Sequence, residues 1–136
     1  MILADTSAWV EFDRATGSAV HQRVAELIAG DVDLVVTEPV IMEVLAGARN
    51  QQRELDLRRL LLRFPLLRFD IASDFDSAAR IYRRCRAAGI TPRGMVDCMI
   101  AAVAWRHGAA LLAQDVDLVR VCQTVGIDLD QASMRN

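Results

Sequence analysis

Apolar residues fall along this chain in short runs of two kinds, and the alternation between them predicts the fold. Ile2-Leu3-Ala4 reads as a buried strand that ends at Asp5. From Ser18 to Ala29 the apolar positions Val20, Val24, Leu27 and Ile28 have helical spacing, and Gly30 stands where a helix stops. Leu34-Val35-Val36-Thr37 is a second strand. Pro39 suits the first turn of a helix that carries Val40, Ile41, Val44 and Leu45 and ends near Gly47. A leucine-rich helix over 52–64 follows, then a possible third strand from Leu66 to Phe69.

Ser73 or Asp74 caps a helix over 74–88 that stops at Gly89. Thr91-Pro92-Arg93-Gly94 is a turn before a nearly apolar helix, Met95 to Arg106, closed by Gly108. Ala110 to Ala113 reads as a fourth strand, 117–124 as a last helix ending near Gly126, and Ile127 to Leu129 as a short edge strand. Short apolar strands separated by helices imply βαβ units. The expectation is one α/β domain over 1–136, with a central parallel sheet of four to five short strands and helices on both faces.

Composition narrows the chemistry. The 136 residues, 53% of them hydrophobic, are enough for one core without cross-links. All 16 basic residues are arginine, so a Walker-type lysine, a Schiff-base lysine and the lysine of a phospho-aspartate receiver are excluded. Cys85, Cys98 and Cys122 are odd in number and have no C-x-x-C spacing, which disfavours a disulfide framework or zinc and suits reduced cytosolic thiols. Neither a signal peptide nor an 18-residue apolar span is visible, so a soluble, cytoplasmic protein without a membrane partner is expected.

The acids carry the functional signal. In open α/β sheets, ligands bind beyond the carboxyl ends of the strands. Asp5 and Asp115 each follow a strand directly and so share one sheet edge, as helix caps or as ligands. Glu43 lies within Val40-Ile41-Met42-Glu43-Val44-Leu45-Ala46, and Asp97 opens an apolar helix. A carboxylate in such surroundings needs a cation or a donor, unless its helix face turns outward. Asp117 stands two residues beyond Asp115, as a second cap or an alternative ligand. Carboxylates that converge repel one another unless a divalent ion neutralises them. An all-oxygen set suits Mg²⁺, with Mn²⁺ able to substitute. His21 and His107 have no triad or ligand spacing.

Four segments together resemble the PIN-domain RNases, specifically the VapC-type toxins of toxin–antitoxin pairs. They are Asp5-Thr6-Ser7-Ala8-Trp9-Val10-Glu11, Glu43-Val44-Leu45-Ala46-Gly47-Ala48-Arg49, Asp97-Cys98-Met99-Ile100-Ala101-Ala102 and Leu111-Leu112-Ala113-Gln114-Asp115-Val116-Asp117. The resemblance runs from residue 1 to about 125. It implies an acidic quartet of Asp5, Glu43, Asp97 and Asp115, with Asp117 as additional or substitute ligand and the Thr6 and Ser7 hydroxyls orienting Asp5 or water at the metal. It also implies endonucleolytic RNA cleavage by metal-activated water, giving 5′-phosphate and 3′-hydroxyl ends, with homodimer formation and inhibition by a VapB antitoxin. Leu118 stands where family members commonly have Phe, which loosens the choice between Asp115 and Asp117.

Arginines gather at Arg49, Arg53, Arg58, Arg59 and Arg63 and again at Arg80, Arg83, Arg84, Arg86 and Arg93. Arg49 and Arg93 flank the motif helices and are the candidate RNA contacts. The surplus leucines of 52–64 suggest a partner surface. Two competing readings remain: a PIN-like binding module without catalysis, and a phospho-aspartate phosphatase using Asp5. The phosphatase would need an acid two residues after Asp5, where Ser7 stands.

Overall fold

The computed structural model describes residues 1–134. Three strands form a parallel sheet: β1 (Ile2–Ala4), β2 (Leu34–Val35) and β3 (Ala110–Leu112), in the order β2-β1-β3. Leu3 pairs with Val35 on one side and Leu111 on the other, so β1 is the central strand. All three residues of β1 are buried, as are Leu34, Val35, Leu111 and Leu112. A strand with no polar face must be covered on both sides, as parallel sheets are.

Seven α-helices supply the cover: α1 (Thr6–Asp13), α2 (Ala19–Ala29), α3 (Glu38–Ala46), α4 (Gln51–Leu61), α5 (Asp74–Ala87), α6 (Met95–His107) and α7 (Val116–Val125). A 3-10 turn, Gln131–Met134, closes the described chain. They pack in two groups. α1 lies on α2, and α5 packs against α6 and α7. α3 touches α1, α4 and α6 and so joins the groups. Parallel neighbours need crossover connections: α1 and α2 lie between β1 and β2 in the chain, and α3 to α6 between β2 and β3. No described helix is long and apolar enough to cross a membrane.

The expected sheet of four to five strands is corrected to three, because side chains take the next backbone groups. Val36 and Leu66 make one parallel bridge, with the Val36 amide donating to Pro65 O and that of Leu67 to Val36 O. Beyond it, the Phe69 amide donates to Glu38 Oε1 and Arg68 O accepts from Arg106 Nη2. At the other edge, Leu129 bridges Leu111 once. The Ala113 amide then donates to Ser133 Oγ instead of to a strand.

The helix over 74–88 is capped at Ser73 without a side-chain bond, and Asp74 is used otherwise. Asp74 is fully buried and holds Arg106 through Nε–Oδ1 and Nη2–Oδ2 bonds of 2.9 Å each. It also accepts from the Asp70 amide at 2.8 Å. Burial alone would raise this carboxyl, but those donors hold it below its ordinary value. The pair fastens the start of α5 to the end of α6. Removing one partner of a buried pair strands a charge. Arg106→Met is therefore expected to lower the unfolding free energy by about 3–5 kcal/mol. Arg58→Met, at an exposed i,i+4 pair with Glu54, is expected to lower it by under about 1 kcal/mol. Urea unfolding of the two variants measures the difference.

Candidate active site

The carboxyl ends of β1 and β3 lie side by side, where the chain order reverses across the sheet. This is the switch point at which open α/β sheets bind ligands. The Asp5 amide makes the last sheet bond, to Leu112 O at 2.9 Å. Asp5 then caps α1: its Oδ2 accepts from the Ser7 amide at 3.1 Å and from Ser7 Oγ at 2.7 Å. Ser7 Oγ in turn accepts from the Gln114 amide at 2.9 Å, tying the ends of the two strands together. Asp5 Oδ1 is buried and has no hydrogen-bond partner. Burial, and more weakly the Glu43 charge, push the Asp5 carboxyl up to about 6 despite the Ser7 bonds.

Glu43 comes from the middle of α3, where its Oε1 accepts from Thr6 Oγ1 at 2.6 Å. Thr6 thus orients Glu43, and Ser7 orients Asp5. Asp97 stands in the first turn of α6, behind a Gly94 cap that offers no side chain. A helix N-terminus favours a charged acid. Desolvation nevertheless raises the Asp97 carboxyl to about 7, aided by the charges of Asp5, Asp115 and Glu43 and opposed by Arg93. That mutual repulsion marks the four acids as one electrostatic group.

Asp115 caps α7 with Oδ1, which accepts from the amides of Asp117 (2.9 Å) and Leu118 (3.4 Å). Its Oδ2 accepts from Arg93 Nη2 at 2.7 Å. Asp117, half-buried in the first turn of α7, meets Asp115 through its backbone amide.

A cation site was tested on these atoms. Asp5 Oδ1 offers a buried oxygen with nothing bound to it, and the donors are all hard oxygens. Among the described residues, no three His, Cys, Asp or Glu side chains close into a cage of their own. The fit therefore rests on the donor chemistry: hard carboxylate oxygens suit Mg²⁺, which keeps several waters and is commonly bound by one or two carboxylates. The cysteines take no part: all three are buried and free, and burial pushes Cys98 up to about 11 and Cys122 up to about 12.

Beside Glu43 lies a groove of about 720 Å³ whose lining includes Trp9, Arg14, Arg49 and Arg53. The sequence pointed to Arg49 but not to Arg14, whose signal was hidden because α1 itself was not foreseen. Among the remaining arginines, Arg53 pairs with Asp13, Arg58 with Glu54 and Arg80 with Asp76.

The chain as a whole is similar to known proteins. Residues 2–123 match the PIN domain family. Ribonuclease VapC11 of Mycobacterium tuberculosis is 43% identical over 136 residues, covering 99% of this chain and 100% of the relative. Ribonuclease VapC32 of the same organism is 34% identical, covering 95% and 96%. In structure, the VapBC2 complex from Rickettsia felis bound to a promoter DNA fragment contains a chain with a TM-score of 0.75 at 18% identity, covering 96% of this chain and 98% of that one. The chain belongs to the PIN-domain family and, within it, to the VapC group.

Proposed function

We propose that this protein is a metal-dependent endoribonuclease toxin, held inactive by a cognate VapB-type antitoxin and acting in the cytoplasm as a homodimer. The observation that carries the catalytic part is the electrostatic group of Asp5, Glu43, Asp97 and Asp115 at the switch point, with Asp5 Oδ1 buried and unbonded. Full-length identity to proteins named as VapC ribonucleases supports the choice of RNA.

Asp5 and Asp97 supply the principal ligand oxygens, with Asp115 Oδ2 as the third. Asp117 is the additional or substitute ligand. Mg²⁺ or Mn²⁺, when bound, eases deprotonation of water and offsets charge on the phosphate. Ser7 keeps Oδ2 of Asp5 occupied, so that Oδ1 is the oxygen left for the ion. Glu43, steadied by Thr6, is placed to accept the proton of the attacking water. Attack in line on phosphorus leaves 5′-phosphate and 3′-hydroxyl ends, and no base for a ribose 2′-hydroxyl is needed. Arg49, in the groove beside Glu43, and Arg93, at the rim of the acids, hold RNA phosphates through bidentate bonds.

Exposed leucines around α4 support an antitoxin-docking surface there. Leu57 and Leu61 of α4 are buried, but Leu55 and Leu62 are exposed. A binding module without catalysis is disfavoured by the unbonded Asp5 oxygen, which a purely structural carboxylate would satisfy.

Asp5→Asn and Asp97→Asn are each expected to reduce Mg²⁺-dependent cleavage of single-stranded RNA by about 1,000-fold or more, with native circular dichroism retained. Either variant cleaving at the wild-type rate removes the proposed site. Mapping the product ends checks the direction of attack. Expression of the chain alone is expected to arrest growth, and co-expression of its antitoxin to relieve the arrest. Arrest persisting in Asp97→Asn separates toxicity from the nuclease.

The metal-free protein has a distinctive pH dependence. Burial pushes the Asp5 and Asp97 carboxyls up to about 6 and about 7 in the fold, from an ordinary value of 3.8. Between those limits the folded state binds more protons than the unfolded chain, so stability falls as pH rises. Asp74 works in the opposite direction, but its carboxyl is lowered, so its contribution is constant above about pH 5. Metal-free protein is expected to melt lower at pH 8 than at pH 5.5, by on the order of 5 °C. Asp97→Asn should remove much of that difference, and Mg²⁺ should raise the pH 8 value. Differential scanning fluorimetry reads all three; a melting temperature that climbs from pH 5.5 to 8 without metal contradicts the coupled, buried acids.

A further inference from the structure

Asp115 uses its two oxygens differently. Oδ1 accepts from two amides of the first turn of α7 and is committed to that cap. A cation drawing on Asp115 must therefore take Oδ2, and Arg93 Nη2 already stands there at 2.7 Å. Nothing else among the described residues bonds the Arg93 guanidinium, and its side chain is 69% exposed. Ion pairs so open to water hold weakly. Arg93 also lies within electrostatic range of the rest of the group, since its charge lowers the Asp97 carboxyl against three acids that raise it. A divalent ion at Oδ2 brings twice the charge of the guanidinium to the same oxygen. The displaced fork then keeps all its donors within one side-chain length of the reacting phosphate.

We infer that Arg93 is the resident counter-cation of the acidic site: a divalent metal ion displaces it from Asp115 Oδ2, and it then turns to the substrate phosphate. This rests on the metal-dependent nuclease reading above and adds an order of events to it. The two duties have opposite signs. Arg93 opposes the metal and favours RNA, whereas an arginine that merely braced the fold would weaken both on removal, and a plain phosphate contact would alter RNA alone.

The test compares wild type, Arg93→Gln and Asp97→Asn. Mn²⁺ binding to RNA-free protein is measured by calorimetry, and KM and kcat are measured on a single-stranded RNA. Arg93→Gln is expected to bind Mn²⁺ about fivefold tighter, the factor set by losing a weak competing ion pair. Its KM for RNA is expected to rise about tenfold, from the loss of one charge-assisted contact. The Arg93 Nε–H signal in proton–nitrogen spectra of the wild type should move toward that of free arginine when Mg²⁺ saturates the protein. Unchanged or weaker Mn²⁺ binding in Arg93→Gln overturns the inference, and so does an Arg93 signal that Mg²⁺ leaves in place. An unchanged KM overturns the hand-over to phosphate. Should wild type and Asp97→Asn alike fail to bind Mn²⁺, the nuclease reading falls and takes this inference with it. A wild type that binds Mn²⁺ while Asp97→Asn does not leaves the nuclease reading standing, whatever Arg93→Gln shows.

Discussion

One oxygen of Asp5 is bonded and the other is not, and much of the molecule serves to keep it so. The residue ends the central strand, which is buried on both faces, and its amide still belongs to the sheet. Its Oδ2 is held by Ser7, whose hydroxyl is itself fixed by the Gln114 amide beyond β3. The carboxylate is held in one orientation, and its Oδ1 stays buried while the Glu43 charge opposes its ionisation. Desolvation and like-charge repulsion both oppose ionisation at such a point. A fold that assembles this arrangement carries an electrostatic cost, and the proposed divalent ion is what would offset it.

Of the two readings that the sequence left open for the strand-end aspartates, the structure shows the cap, and the cap leaves room for the ligand. Helix cap and ligand are not alternatives, because a carboxylate has two oxygens. Asp5 caps α1 through Oδ2 and leaves Oδ1; Asp115 caps α7 through Oδ1 and leaves Oδ2 to Arg93. Capping fixes the direction of the remaining oxygen, so the local signal that starts each helix also aims the acid. Thr6 does for Glu43 what Ser7 does for Asp5, from the neighbouring position in α1.

The strand cores and the six helices from α2 to α7 were legible because each is bounded by a local device, such as Ser18 and Gly30 around α2 or Gly108 after α6. α1 was not: Asp5 stood open as helix cap or ligand, and the few apolar positions behind it, of which Ala8 and Trp9 are buried, made no helical repeat. The surplus strands failed for a non-local reason. Leu66–Phe69 and Ile127–Leu129 have strand-like sequences, but Glu38, Arg106 and Ser133, remote in the chain, take the backbone groups that longer pairing would use. The placing of Asp5 and Asp115 on one sheet edge follows from strand order and was legible as an expectation; Glu43 and Asp97 lie on helices, and the family resemblance joined them to it. The engagement of Arg93 with Asp115 was not, since side-chain pairing across 22 residues leaves no periodic trace.

The central claim is that these acids form a divalent-cation site. Anomalous diffraction from crystals of the wild-type protein soaked in Mn²⁺ tests it most directly. A peak within ligand distance of Asp5 Oδ1 and the Asp97 carboxylate, absent from Asp97→Asn crystals, is the predicted result. A well-ordered site with no peak there at saturating Mn²⁺, and with the four acids as closely grouped as before, would contradict the account.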